Sequence, residues 1–212
     1  MHQNEEHHYK NCAHLWLSHT ARKFGFRLYD MYYVERSLHK PLPKFEPGIP
    51  LNLERATHDD QREIIASRGL RHERRLKFRF DSKRTLCYVA KSGDDLVGYS
   101  MLSTGLMDIT GLDAIELPIR QMPANTGLTH DAYVFPEFRG NRIFHALLGH
   151  VYRDCKKAGL VRVSNLIDPA NVWSLKVHLD MGNRIQRTRF LKFPGTGLIT
   201  VGHGFVIGQL DT

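Results

Sequence analysis

The stretch DAYVFPEFRGNRIFHALLGHVYRDCKKAGL, residues 131–160, decides the fold. It opens as a short apolar strand, turns through a basic segment holding Pro136, Gly140 and two arginines, and runs on as a long amphipathic helix. In that helix Ile143, Phe144, Leu147, Leu148, Val151, Tyr152 and Cys155 recur on one face, while His145, Arg153, Lys156 and Lys157 take the other. The apolar face is expected to pack on a sheet. A helix N-terminus leaves N–H groups unpaired and concentrates partial positive charge, so anions dock there readily. Arg139 and Arg142 flank Gly140 at that place, adding charge to a backbone that a ligand can approach closely. Pro136 cannot continue a sheet ladder, so the strand is expected to part from its neighbour at Phe135 or Pro136 and to free amide groups for an extended ligand.

Working outward, the flanking segments read as an alternation of strands and helices. Downstream, LVRVSNLI (160–167) is a buried strand, Asp168 is expected to cap the next helix with Pro169 in its first position, and MGN (181–183) ends it. Two apolar runs near residues 184–193 and 198–207 close the chain as strands. Upstream, LNLERA (51–56) is a short strand, and Thr57 with Asp60 three residues on forms a capping box for a helix carrying Ile64 and Ile65. A second helix, RHERRLKFRF (71–80), leads to TLCYVAK and LVGYSML, a hairpin about Gly93 and Asp94. From residue 51 the order is β-α-α-β-β-β-α-β-α-β-β, a mixed α/β sandwich around one central sheet. Before it, residues 8–24 read as a helix and FRLYDMYYVERSL (26–38) as a strand, followed by HKPLPKFEPGIP with its four prolines. Residues 1–49 are therefore expected to be a helix-strand extension and linker, and 50–212 the main domain. The strand of the extension is expected to add to the sheet within the same chain, with exchange between subunits of a homodimer as the other arrangement.

The 212 residues suit one domain with a real core, at 42% hydrophobic and 25% charged. A formal charge of +8 favours an anionic partner such as a nucleotide cofactor or an acidic carrier protein. Cys12, Cys87 and Cys155 are scattered, which points to reduced thiols and, with no apolar leader or membrane-length run, to a soluble cytoplasmic protein. The early histidines His7, His8, His14 and His19 lack consistent ligand spacing, so no metal is expected. RGLRHERRLKFRF holds too few aromatics for a nucleic-acid stripe and reads as a solvated basic helix flanking a substrate site.

The segment VFPEFRGNRIFHALL (134–148) resembles the acyl-CoA-binding motif of the GNAT superfamily of N-acyltransferases, V-x-P-x-(Y/F)-(R/Q)-G-x-G-x-(G/A)-x-x-L-L. NVWSLKVHLDMGN (171–183) is similar to its second motif, N-x-x-(A/S)-x-x-h-Y-x-x-h-G-F, with Asn171, Ser174, Val177, Met181 and Gly182 in register. The resemblance implies a GNAT-like, mainly antiparallel sheet with helices on both faces and a strand splay at the cofactor site. It implies that amides around Val134, Phe135 and Pro136 hold the pantetheine arm of acetyl-CoA or another acyl-CoA. Arg139, Gly140, Asn141, Arg142, Ile143 and Phe144 would cradle the pyrophosphate, with Asn171 and Ser174 near the pantetheine. Asn171, Ser174 and His178 share a helix face at i, i+3 and i+7.

Four positions depart from the motifs. Arg142 and Phe144 stand where the phosphate loop has small residues, His178 where the second motif has Tyr, and Asn183 where it closes on Phe. Arg142 could supply a side-chain phosphate contact and Phe144 could fill the core beneath the helix. His178 is then a candidate general acid for the departing thiolate, and His130 or Asp131 a candidate base. Adjacent strand residues face opposite sides, so at most one of that pair is expected in the cleft. Glu116 is a further candidate base. The activity implied is acyl transfer from acyl-CoA to a primary amine, small-molecule or peptide. Two other readings stand beside it: an acyl carrier protein-dependent N-acyl amino acid or homoserine-lactone-type synthase, and a non-catalytic binding module on the same scaffold.

Overall fold

The computed structural model describes residues 27–104, 125–192 and 198–203. The expected helix at 8–24, the four early histidines, Cys12 and Glu116 lie outside the described residues. The elements are β1 (Arg27–Ser37), β2 (Asn52–Arg55), α1 (His58–Arg68), α2 (Leu70–Asp81), β3 (Thr85–Ser92), β4 (Asp95–Thr104), β5 (Thr126–Val134), α3 (Ile143–Lys157), β6 (Arg162–Ile167), α4 (Val172–Asp180), β7 (Arg184–Lys192) and β8 (Leu198–His203), with a 3-10 turn at Pro136–Phe138. From β2 onward this is the order read from the sequence. The strands form one sheet in the order β2-β3-β4-β5-β6-β1-β7-β8, and only β5 and β6 run parallel. The fold is mixed α/β with a mainly antiparallel sheet.

Local chemistry explains the elements. Thr57 accepts from the Asp60 amide at 3.2 Å while the Asp60 carboxylate accepts from the Thr57 amide at 2.7 Å, so α1 starts on a complete capping box. On β3 the side chains alternate: Cys87 and Val89 pack with Ile64 of α1 and Leu76 of α2, and Tyr88 and Ala90 pack with Leu147 and Leu148 of α3. The sheet is thereby covered on both faces. α4 lies against Val34, Ile167 and Ile185 through Leu175, beside α3.

The strand of the N-terminal extension is not a peripheral addition. β1 sits inside the sheet, with Val34 opposite Asn165 of β6 on one side and Ile185 of β7 on the other. Arg36, buried at 3% exposure, donates to the carbonyls of Met181 and Pro41 and so ties β1 to the end of α4 and to the linker.

Two local expectations are corrected. Asp168 does not cap α4: its Oδ1 accepts from the Ala170 amide at 2.8 Å in a turn, and Asn171 is the cap, accepting from the Ser174 amide at 3.1 Å. Pro169 lies in that turn, ahead of the helix, because the turn takes up three residues before helical geometry begins. The splay also starts earlier than Pro136. β5 and β6 pair only from Thr126↔Arg162 to Leu128↔Ser164; beyond that β6 keeps only β1, which lines its other edge from Arg162 to Ile167, and β5 keeps only β4. Phe135 still donates to Val97 of β4 at 3.1 Å, so the proline marks the end of the ladder and not the point of divergence.

Candidate active site

Where β5 and β6 diverge, a cleft of about 1340 Å³ opens between Leu128–Val134 on one strand and Asn165–Asp168 on the other. α2 forms one end of its wall and the loop into α3 forms the other. The position of the cleft follows from the strand pairing. A parallel pair joined by a crossover helix exposes the carboxyl ends of its strands, and here those ends part.

The loop end is built for close approach. Gly140 has φ +88 and open space where a Cβ would stand. Arg142, in the position where the GNAT motif has glycine, adopts φ 55 and ψ 22, the left-handed conformation that glycine takes without strain. The backbone turn is thus kept although the side chain is large. α3 then begins with no side-chain cap, leaving its first N–H groups at the cleft without a capping partner. Arg139, Gly140, Arg142, Ile143 and Phe144 line the cleft, whereas Asn141 turns away: its amide donates to the Phe138 carbonyl at 3.1 Å and its own carbonyl accepts from Gly48 of the linker at 3.0 Å. Phe135 and Pro136 do not line the cleft, and the Phe135 amide is engaged by β4, which leaves Val134 as the lining residue of that trio.

On α4, Asn171 and Ser174 line the cleft, but His178 does not. Its side chain is wholly buried. Nδ1–H donates to the Ser174 carbonyl at 2.8 Å, which fixes the tautomer and leaves Nε2 to accept from the Asn165 amide at 3.3 Å. Burial is the main cause that brings its pKa down to about 4, opposed by the bond to Ser174 and assisted by His145. The ring is neutral near pH 7 and its one N–H is engaged by the backbone. Phe144 meets it edge-on with ring centroids 5.6 Å apart, so two of the four departures from the motifs are partners in one contact. A third has a partner as well: Asn183, buried, donates to the Tyr152 hydroxyl at 3.0 Å, a polar contact that a phenylalanine could not make.

At the other end both His130 and Asp131 line the cleft, contrary to the expected alternation. Between Tyr99↔Tyr133 and Met101↔His130, β5 spends one residue more than β4, a β-bulge, and Asp131 sits there with φ 47. The bulge brings His130 Nδ1 within 3.4 Å of Asp131 Oδ2. His130 Nε2 lies 2.8 Å from Ser103 Oγ, itself 2.9 Å from Thr85 Oγ1. Burial lowers the His130 pKa, so the ring is neutral at pH 7. Burial alone would raise the Asp131 pKa; the hydrogen bond and charge of His130, then Arg75 and Arg79, overcome it and hold the carboxyl at about 2. Arg75 Nη2 is 3.3 Å from Oδ1 and Arg79 Nε 3.4 Å from Oδ2.

Residues not singled out from the motifs complete this end. The basic helix read as flanking a substrate site is α2, and Arg71, His72, Arg74, Arg75 and Arg79 all line the cleft. Tyr133 lies under the Arg68 guanidinium, 3.6 Å from the ring centroid, with Arg139 at 5.6 Å. Trp173 lines the cleft while 77% exposed. Among the described residues no group of three or more His, Cys, Asp or Glu side chains could hold a metal ion, and no helix is long and apolar enough to cross a membrane.

Comparison with known proteins shows the fold and the family. The fungal multi-domain GH3 β-N-acetylglucosaminidase has a GCN5-related glucosamine N-acetyltransferase region with the same fold, at 15% identity and a TM-score of 0.54; the match covers 85% of this chain and 22% of that one. The aminoglycoside N-acetyltransferase AAC(6')-Iy, solved with CoA, gives 16% identity and a TM-score of 0.48 over 66% of this chain and 91% of that one. An IAA acetyltransferase from Bacillus cereus gives 18% and 0.46 over 61% and 74%. No curated protein matches the sequence. The model of the acetyltransferase (GNAT) family matches residues 53–182, more than half of the chain, and the protein belongs to that family.

Proposed function

We propose that this protein is an acyl-CoA-dependent N-acyltransferase, with acetyl-CoA as donor, acting on a primary amine by direct attack. The observation that carries the reading is the bare N-terminus of α3 behind a loop whose Gly140 and Arg142 are both left-handed. This backbone can meet a pyrophosphate without a Cβ in the way at Gly140, and Arg139 and Arg142 add side-chain charge. The pantetheine arm would run along the splay between Val134 and Asn171, in reach of strand backbone that β6 no longer pairs.

Bound acyl-CoA supplies the activated thioester, whose C–S bond breaks as the C–N bond forms. The chain's part is to hold the amine against it, exclude water and take a proton. His130 suits the last task because its ring is neutral and lines the cleft: Nδ1–H donates to Asp131, Nε2 is the basic nitrogen, and the Ser103 hydroxyl 2.8 Å from it would relay the proton or turn aside. Asp131, held at about 2, is too weak a base and positions the ring instead. His178 acts from beneath the cleft as a packing group that fixes Phe144 and α4.

Calorimetry with CoA and acetyl-CoA, followed by thiol release with an amine panel, tests the proposal. Binding with thiol release supports it. Absence of binding to both ligands by the intact chain refutes it. Arg142→Ala is expected to weaken CoA about ten- to a hundredfold, the equivalent of one charge-assisted phosphate contact, and to leave pantetheine nearly unaffected.

A further inference from the structure

α2 lines the cleft with four arginines. Arg71, Arg75 and Arg79 stand at i, i+4 and i+8 and so share one face, and Arg74 lines the cleft beside them. Like charges at that spacing repel by a few tenths of a kcal/mol per pair. The helix's own acids do little to relieve this: Glu73 is paired with Lys77 on the surface, and Asp81 is exposed at the last position and does not line the cleft. Among the described residues the one acid paired with these arginines is Asp131, shared between Arg75 and Arg79. Arg71 and Arg74 form no ion pair with any described residue.

The hydrogen-bond state of the cluster points the same way. The Nε atoms of Arg68, Arg75 and Arg79 are buried, and none makes a hydrogen bond. Arg79 is itself only 7% exposed, and its Nε has Asp131 at 3.4 Å as a charge but not as a hydrogen-bonded acceptor. Buried guanidinium N–H groups without acceptors are costly unless a ligand brings the acceptors. The cluster meets the phosphate loop at Tyr133, whose ring Arg68 and Arg139 share at 3.6 and 5.6 Å from its centroid, while Arg75 and Arg79 are held on Asp131, eight residues before Arg139.

Resting on the acyltransferase reading, we infer that the acceptor is an anionic amine: beside its amino group it carries a compact oxyanion, a carboxylate or a phosphoryl group, bound by the arginine face of α2. Arginine forks match both groups in a bidentate fashion, so the shared chemistry is a planar or tetrahedral oxyanion with several acceptor oxygens. A polycationic amine meets the opposite field. Of the three acids that line the cleft, Asp131 is already engaged, and Asp168 and Asp180 belong to the α4 wall. The lowered pKa of His72, caused first by burial and then by Arg68, Arg75 and Arg71, reports the same unbalanced field.

The test is calorimetry on the intact chain, free and saturated with CoA, using matched amines. The pairs are O-phosphoethanolamine with ethanolamine for the phosphoryl group and glycine with glycinamide for the carboxylate, and spermidine is the cation. At least one anionic member is expected to bind tenfold or more tightly than its neutral partner, and the pair that shows it identifies the oxyanion. The double variant Arg71→Ala, Arg74→Ala is expected to reduce that preference by about tenfold or more, with the dissociation constant for CoA unchanged. Raising salt from 0.1 to about 0.5 M should erode the preference in the wild type. Equal binding within both pairs, or tighter binding of spermidine, overturns the inference while leaving the acyltransferase reading standing if CoA binds. Loss of CoA affinity in the double variant assigns these arginines to the cofactor and also overturns it. Failure of the wild type to bind CoA sinks the acyltransferase reading instead, and the preference measured on the free protein still decides the charge of the ligand.

Discussion

His178→Phe separates a buried structural histidine from a proton donor. In the folded protein the ring's pKa is about 4, against 6.5 for the unperturbed group. A folded pKa below the unfolded one means that the unfolded chain takes up the proton first as pH falls. The stability linked to this group is therefore fully present above about 6.5, declines through the interval, and is fully lost below about 4. That difference in pKa is worth about 3 kcal/mol over the whole interval, most of it gone at pH 4.5. For a domain of this size that is roughly a 5–10 °C fall in Tm. Phe removes the titration. It also removes the donation to Ser174 and leaves the Asn165 amide without its acceptor, a pH-independent cost of about 1–3 kcal/mol. Urea denaturation of both proteins from pH 7.5 to 4.5 should give curves that start apart, with wild type higher, and converge or cross as the wild type loses stability. Buried His130 and the half-buried His150 titrate in the same direction in both proteins, so the difference between the curves isolates position 178. Parallel curves would refute the reasoning. The same pKa implies that any alkaline limb of turnover near 6.5 has another origin.

Arg142→Gly should be more stable than Arg142→Ala by up to about 1.5 kcal/mol, because glycine relieves the left-handed strain that alanine keeps, partly offset by its greater freedom when unfolded. Thermal melts of the two ligand-free variants check the order. Asp131→Asn should cost about 2–4 kcal/mol above pH 4, since Arg79 is then buried against a neutral amide; the difference should fade as pH falls toward 2, where the carboxyl titrates. His130→Gln should lower kcat by a factor of about a hundred or more and remove the acid limb that the wild type is expected to show below pH 6.5. A limb that persists unchanged in the glutamine variant would take the base role away from His130. Arg36→Met should destabilise by about 1–3 kcal/mol in urea titrations through the loss of two carbonyl contacts, Met181 and Pro41, with little change in CoA affinity.

Features that repeat or punctuate locally were legible in the sequence. The apolar spacing of residues 143–155, the Thr57–Asp60 box and the alternation on Cys87 to Ala90 each fixed an element; the basic run of α2 was read as a solvated helix, whereas Arg79 is buried and the arginines line the cleft. Features set by partners far away in the chain were not legible. Pro136 looked like the point of divergence, yet the β5–β6 ladder already ends at Leu128↔Ser164, a register set between strands far apart in the chain, while β6 keeps β1 on its other edge throughout. Strict alternation excluded one of His130 and Asp131, and a single extra residue in β5 admitted both. Helical spacing put His178 on the face of Asn171 and Ser174 but could not show that this face dips under the cleft wall, where Phe144 closes over the ring. Asp168 and Asn171 offer the same capping chemistry three residues apart, and only the turn at Pro169 decides between them.

The place of β1 bears on how the chain is made. Ser37 pairs with Arg162, so about 125 residues must be synthesised before the strand meets its first neighbour, and its second arrives later still with β7. At a ribosomal pace of 5–20 residues per second that wait is roughly 6–25 s. Throughout it the aromatic segment MYYV (31–34) has neither ladder partner available, the state in which strands recruit each other between molecules. A chain begun at residue 50 would escape that hazard but would leave β6 and β7 with no strand between them. Expression of such a truncation should therefore yield insoluble or oligomeric protein, and supplying residues 27–50 as a separate peptide during refolding should restore a monomeric sheet.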